Sequence, residues 1–256
     1  MFGLAAMVYG LAAYAFFFVT FLYAIGFTGG LVVPKTIDSG QPGAMVPSLL
    51  IDAGLLAIFA VQHSVMARPA FKRWWTRILP KPVERSTYVL AATSALALLF
   101  WQWRPLPQPV WSLNDPLAIG LVQGLFFAGW GIVLLSTFLI SHFELFGLQQ
   151  VWQRLRNRPA QALQFRTPLL YGLVRHPIYL GFLIAFWAAP TMSLGHLIFA
   201  VATSGYILIG IMLEERDLEA TFGEAYRSYR TRVNMLLPLP RRRAQTVSAP
   251  KGRAAV

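Results

Sequence analysis

The chain has 256 residues, of which 56% are apolar and only 12% charged, with a net charge of +12 and no cysteine. Soluble domains carry about 25% charged residues, so this composition excludes an ordinary soluble globule; the missing cysteines exclude disulfides, thiolate metal sites and a cysteine nucleophile. Nucleic-acid binding is excluded as the source of the positive charge, because 20 of the 22 Lys and Arg residues fall in segments that one side of a bilayer would share, a pattern that membrane topology and anionic lipid explain.

The first stretch, MFGLAAMVYGLAAYAFFFVTFLYAIGF, opens a charge-free window from Met1 to Pro34. A helix crossing about 30 Å of hydrocarbon needs roughly 20 apolar residues. This stretch lacks a basic leader and exceeds a signal-peptide core, so it is expected to stay as a membrane span. A second span is predicted over the charge-free residues Ala53–Ala67, extended back to about Pro47. Residues 67–85, ARPAFKRWWTRILPKPVER, form a basic, tryptophan-paired connection suited to the lipid headgroup layer. A third span is predicted over Ser86–Trp103 and a fourth over Pro116–Phe143. Within the fourth, Gly120, Gly124, Ala128 and Gly131 line up as a small-residue ladder expected to serve helix packing.

From Pro177 to Leu213 there are 37 residues without a charge, about 55 Å of helix at 1.5 Å per residue. That is nearly two crossings, and Pro190 and Gly195 near the middle predict a hairpin whose short first limb ends near Ala189. Residues 214–233 are expected to continue the second limb as one cytoplasmic amphipathic helix, with Leu218, Phe222, Ala225 and Tyr229 as its apolar stripe. Carried back one turn, that stripe lands on Glu214, which is therefore expected on the buried side, with Glu215 and Glu219 solvated. Past Pro240, RRRAQTVSAPKGRAAV has no apolar pattern and reads as a disordered basic tail over 241–256. The fold class is all-α: a polytopic bundle of about five to six membrane segments including the C-terminal hairpin, with residues 1–240 as one membrane domain. The Lys and Arg bias places both termini in the cytoplasm of a multi-pass cell-membrane protein.

The chemistry concentrates at the two ends of the hairpin. In GLVRHPIYLGF, Arg175 and His176 precede Pro177, which suits the first turn of a new helix. Free backbone N–H groups at a helix start attract an anionic group; Arg175 adds a positive fork and His176 a group that titrates near neutrality. A hairpin returns Glu214 to the level of His176, where its carboxylate meets an ammonium. The residues thus describe a site for a ligand carrying both charges, although an interfacial Arg-His pair holding a lipid phosphate fits the same letters.

The two-part pattern Y-x-x-x-R-H-P-x-Y-x-G, then about 32 residues, then E-E-R-x-L-x-x-x-F-G-x-x-Y-x-x-Y resembles the C-terminal signature of integral-membrane S-adenosylmethionine-dependent methyltransferases, the isoprenylcysteine carboxyl and phospholipid methyltransferase superfamily. It covers roughly residues 163–238. Upstream, QHSVMARPAFKRWWTR, VERSTYVL, FWQWRPLP and STFLISHFELFGLQQVW are similar to the bacterial methanethiol S-methyltransferases, which make dimethyl sulfide. The resemblance implies a cofactor-binding part over about 142–238, with S-adenosylmethionine contacted by Tyr171, His176, Pro177, Ile178, Tyr179 and Glu214, by the stretch Leu163, Gln164, Phe165 and Arg166, and by Gln149, with Arg175 completing the anion site. Where carboxyl methyltransferases place an arginine for their prenylated substrate, this chain has Gly210, which fits a small neutral thiol. A thiol's pKa of about 8.5 leaves little thiolate at neutral pH, so a base is expected. His142 and Glu144 are the first candidates and His63 a further one; His196 is assigned no role. Four scattered histidines supply no metal-ligand spacing. The expected partners are a small thiol and the lipid bilayer, with no protein partner evident. Methylation of a prenylcysteine or lipid headgroup at the same site, and a non-catalytic membrane protein of the same fold, remain the alternatives.

Overall fold

A computed structural model describes residues 1–159 and 165–239 of the chain. In order the elements are α1 (Phe2–Gly29), α2 (Met45–Ala67), α3 (Pro69–Trp75), α4 (Lys81–Gln102), β1 (Pro109–Ser112), α5 (Pro116–Ile140), α6 (His142–Leu145), α7 (Leu148–Leu155), α8 (Leu170–Leu173), α9 (Pro177–Trp187), β2 (Thr191–Ser193), α10 (Leu194–Phe222) and α11 (Glu224–Arg232). Four of these, α1, α2, α5 and α10, are long and apolar enough to cross a membrane. The 22-residue α4 and the 11-residue α9 complete the bundle. The predicted hairpin is present: α9 ends at Trp187, and after a short extended stretch α10 runs back as one unbroken helix of 29 residues.

Helices in lipid gain nothing from hiding apolar surface from each other, so small residues and hydrogen bonds bring them together. Along α1, Ala6, Gly10 and Ala13 are buried, and a Cβ placed on Gly10 would fall 2.7 Å from Val151 of α7 and 3.4 Å from the Ser86 hydroxyl of α4. The closest helix pair is α5 with α9. A Cβ on Gly129 would meet the Gly181 carbonyl at 2.7 Å, and one on Gly181 the Gly129 carbonyl at 2.6 Å. The ladder expected to pack α5 therefore does not: Gly120, Gly124 and Gly131 have open space where a Cβ would stand, and Gly129, on a different face, makes the contact.

The aromatic core lies toward one end of the bundle, where Phe27, Phe100, Trp103, Phe126, Trp130, Phe186 and Phe199 pack together. That end is closed by β1 and β2, an antiparallel pair not anticipated from the sequence. The Trp111 indole N–H donates to the Ala189 carbonyl at 3.0 Å, and the Gly195 amide to the Leu106 carbonyl at 3.0 Å. His196 is held there by Phe186, its Nε2 lying 3.0 Å from the carbonyl. The opposite end collects the N-terminus, α3, α6 to α8 and α11, and it is there that the charged residues meet.

The expected amphipathic helix over 214–233 is two helices. Gly223 between them has φ 54° and ψ −123°, a conformation that side-chain-bearing residues rarely adopt, and α11 turns back toward α10 so that Arg230 reaches Glu219 at 3.2 Å.

Candidate active site

Because α9 starts at Pro177, the three residues before it run extended beside residues 234 and 235. Val174 bridges Asn234, the Arg175 amide donates to the Asn234 carbonyl at 2.8 Å, and the His176 amide to the Met235 carbonyl at 3.2 Å. The chain end after α11 thus fixes the Arg-His-Pro run in place. Tyr229 ties the same two segments, its hydroxyl donating to the Tyr171 carbonyl at 2.6 Å; burial pushes this hydroxyl up to about 12, so it stays a donor. Tyr171 is buried, and its own hydroxyl donates to the Ser136 carbonyl of α5 at 3.4 Å.

The acidic pair of α10 divides its work. Glu215 is the buried member: its side chain is 10% exposed, and it takes Arg175 NH2 at 2.6 Å and His176 Nε2 at 3.0 Å. Arg175 spends its other nitrogens inside the protein, Nε on Glu215 at 2.7 Å and NH1 on the carbonyls of Val233 at 2.6 Å and Arg230 at 3.4 Å. The fork expected to face an anionic ligand is therefore turned inward. Glu214, expected on the buried face, is the exposed member at 44% of its side chain. Its carboxylate accepts the Tyr179 hydroxyl at 2.9 Å and lies 3.9 Å from His176 Nδ1. The reversal has a plain cause. Upstream in α10, Ile207, Ile211 and Glu215 are all buried at four-residue steps, and that stripe sets the helix phase; Leu218, four residues after Glu214 but three after Glu215, is compatible with either acid facing inward, and it and Phe222 are only half-buried.

His176 gives its Nε2 proton to Glu215, since a carboxylate only accepts, which leaves Nδ1 facing Glu214. Pro177 is fully buried and Ile178 half-buried. The first-turn amides of α9 carry no side-chain cap. An exposed carboxylate on one side and uncapped helix amides on the other are complementary to an ammonium and a carboxylate. The site has the donor set that the amino-acid end of S-adenosylmethionine needs.

Phe165 packs its ring against Phe222, Tyr226 and Tyr229 at 5.3, 6.0 and 5.3 Å, in the aromatic wedge between α10 and α11. Arg166 beside it is exposed. Leu163 and Gln164 lie outside the described residues, as does the tail 241–256. Gln149 stands in the first turn of α7, its carbonyl oxygen accepting from Ser141 at 3.3 Å.

Neither expected base joins this group. His142 is buried against α1: its Nε2 lies 2.8 Å from the Tyr14 hydroxyl and its Nδ1 2.8 Å from Thr137. Thr137 donates to the Leu134 carbonyl, so it accepts the Nδ1 proton, and the Nε2 lone pair takes Tyr14. The ring stacks on Phe138 at 4.1 Å, and burial holds its pKa below the usual histidine range. That geometry makes His142 a fastener between α1 and α5, with no nitrogen left for a thiol. Glu144 is half-buried beside it, and among the described residues its carboxylate makes no ion pair. His63 of α2, the further base candidate, belongs instead to a polar-aromatic group with Tyr88 of α4 and Tyr206 of α10, a grouping that no local pattern announces. Its members are scattered over 143 residues, and only the folded bundle brings them together.

With the site's geometry in view, its relatives can be placed. The chain is 59% identical to methanethiol S-methyltransferase 1 of Bradyrhizobium diazoefficiens, over 93% of this chain and 84% of that protein. It is 51% identical to methanethiol S-methyltransferase 2 of the same organism, over 97% and 96%, and 52% identical to the Mycobacterium tuberculosis methanethiol S-methyltransferase, over 92% and 97%. The chain belongs to the methanethiol S-methyltransferase family. No protein-family model and no solved structure matches it. A family of methyltransferases accounts for the two-part signature, and membership makes this protein a methyltransferase of the membrane.

Proposed function

We propose that the protein transfers a methyl group from S-adenosylmethionine to the sulfur of methanethiol, giving dimethyl sulfide, at the face of the cell membrane that meets the cytoplasm. The observation that carries this reading is the convergence of His176, Tyr179 and Glu214 at the mouth of the α9–α10 hairpin, in a chain of this family. When bound, the cofactor supplies a methyl group on a positively charged sulfur. Glu214 receives its ammonium, the first-turn amides at Ile178 and Tyr179 its carboxylate, and Tyr171, Phe165, Arg166 and Gln149 the surrounding contacts. Tyr179 orients the Glu214 carboxylate by donating to it. Arg175 and Glu215 act from behind, as a buried pair that holds His176 and the start of α9 at the right depth. Gly210 leaves the space beside Tyr179 open, with the Tyr179 hydroxyl 3.9 Å from where a Cβ would stand, so an acceptor as small as methanethiol fits where a prenylated one would need an anchoring side chain.

The test is headspace detection of dimethyl sulfide from purified protein given S-adenosylmethionine and methanethiol, with prenylcysteine and lipid acceptors in parallel. Product from methanethiol alone is expected. Glu214→Ala and His176→Ala should abolish calorimetric binding of S-adenosylhomocysteine; unchanged affinity in both would remove this site.

A further inference from the structure

We infer that His63 is the base that takes the thiol proton, held for that task by Tyr88; the inference rests on the methyl-transfer reading above and names the acceptor side of the same site. The chain has four histidines, and three are placed against this task. His142 has both nitrogens engaged by separate hydroxyls, His176 gives Nε2 to Glu215 and turns Nδ1 toward Glu214 on the cofactor side, and His196 lies at the far end of the bundle on a carbonyl. His63 is left. A single hydroxyl, that of Tyr88, lies 2.9 Å from its Nε2 and 3.1 Å from its Nδ1. The two ring nitrogens point away from each other, so one oxygen cannot lie along both directions, and in either tautomer one nitrogen is left for another partner.

Its position suits the role. The His63 ring packs against Phe59, Tyr88 and Tyr206 at 5.2, 5.2 and 6.4 Å, and Tyr206 is fixed by the neighbouring Ser64 at 3.1 Å. Tyr88 and Tyr206 lie within electrostatic reach of Tyr179, which itself holds Glu214. Tyr206 and Gly210 stand one turn apart on one face of α10, and the Tyr179 hydroxyl lies 3.9 Å from where a Cβ at Gly210 would stand. One turn beyond His63, Arg68 pairs with Asp217 at 3.1 Å, fastening the end of α2 to α10 at the membrane boundary. A neutral imidazole is a tolerable group among these rings, and a polar side chain kept at such a depth is a candidate for function.

In the reaction, a lone pair on the thiol sulfur forms the new S–C bond as the S–H proton passes to the free nitrogen of His63. The donor's S–C bond breaks with its electron pair left on the donor sulfur, and the imidazolium returns its proton to water at the nearby membrane face. Tyr88 is a positioning residue that keeps the ring turned toward the acceptor.

The experiment compares two small thiols of unequal acidity, methanethiol and trifluoroethanethiol, whose fluorines make it far more acidic. His63→Asn should slow methanethiol turnover by about 100-fold or more, the worth of a general base, yet recover most of the rate with trifluoroethanethiol, which ionises without help. His142→Gln should affect both thiols alike. In protein with 15N-labelled histidine and saturated with S-adenosylhomocysteine, adding trifluoroethanethiol should convert one resonance, the one missing in His63→Asn, to the imidazolium pattern. Equal slowing with both thiols, no slowing, or conversion of a different histidine would overturn the inference. His63→Asn should retain full calorimetric affinity for S-adenosylhomocysteine; loss of that affinity would make His63 part of the cofactor site and refute its role as the base. Failure of the reading beneath shows separately, as undiminished affinity in Glu214→Ala.

Discussion

Glu214 and Glu215 are adjacent in sequence and differ by a single helical step of 100°, yet the bundle gives them opposite environments. Removing Glu215 strands the Arg175 guanidinium, whose side chain is only 6% exposed, and an unpaired buried charge costs about 3–5 kcal/mol. Glu215→Ala is therefore expected to lower the thermal midpoint sharply in detergent. Glu214→Ala takes away a half-exposed carboxylate and should leave the midpoint nearly unchanged, within about 0.5 kcal/mol, while calorimetric binding of S-adenosylhomocysteine disappears. The reverse ordering would exchange the two assignments. His142 carries a pH dependence of definite sign. Its folded pKa lies below the ordinary value because it is buried, so as pH falls through about 6.5 the unfolded chain takes up the proton and the folded one does not. Its contribution is fully present above that range and is lost on acidification. Between about pH 7 and 5.5 the wild-type midpoint should fall more steeply than that of His142→Gln, which has no such group to titrate.

At the level of helices, the spans were legible because length and missing charge suffice for them: α1, α2, α5 and the α9–α10 hairpin stand where the charge-free windows put them. Helix faces were not, because a face is chosen by the partner. Gly120, Gly124 and Gly131 have the spacing of a packing ladder and pack against nothing, whereas Gly129, outside that ladder, and Gly181, the last residue of the Arg-His-Pro motif, bring two backbones into contact. The same limit reversed Glu214 and Glu215, since Leu218 lies one helical turn from both and only the packing of Ile207 and Ile211 decides which acid faces inward. It also hid the His63, Tyr88 and Tyr206 group, whose members share no local pattern. The Arg-His-Pro run and the acidic pair were readable as one site because a hairpin must return to its starting level. These glycines make a contrast that can be measured. Gly181→Ala drives a methyl group to within 2.6 Å of a backbone oxygen that has no rotamer to yield. Overpacking of this kind costs about 1–3 kcal/mol, and because α9 carries His176 and Tyr179, affinity for S-adenosylhomocysteine should weaken as well. Gly124→Ala, facing open space, should change neither midpoint nor affinity; equal effects from the two would mean that α5 and α9 do not meet at Gly129.

Across the whole molecule the two ends of the bundle have different characters, and the difference fixes which residues must share a compartment. One end is closed by β1 and β2 and by the segment around Ile37 and Asp38, which reaches Ser193 through a hydrogen bond. The other carries α3, α7 and α11 and nearly all the basic residues among those described, together with His176, Glu214 and Glu215. On the proposed reading, a cofactor made in the cytoplasm can enter only if this second end faces it, and the excess of Lys and Arg there favours the same orientation. The absence of cysteine allows a direct test, because any cysteine introduced is the sole target for a thiol reagent. Gln41, exposed between α1 and α2, belongs to the first end; Arg156, exposed just after α7, belongs to the second. In intact cells a membrane-impermeant maleimide should label Gln41→Cys at once and Arg156→Cys only after the membrane is opened. The opposite order would put the site outside the cell, away from its methyl donor, and labelling of both in intact cells would mean that the two ends do not lie on opposite sides of one bilayer.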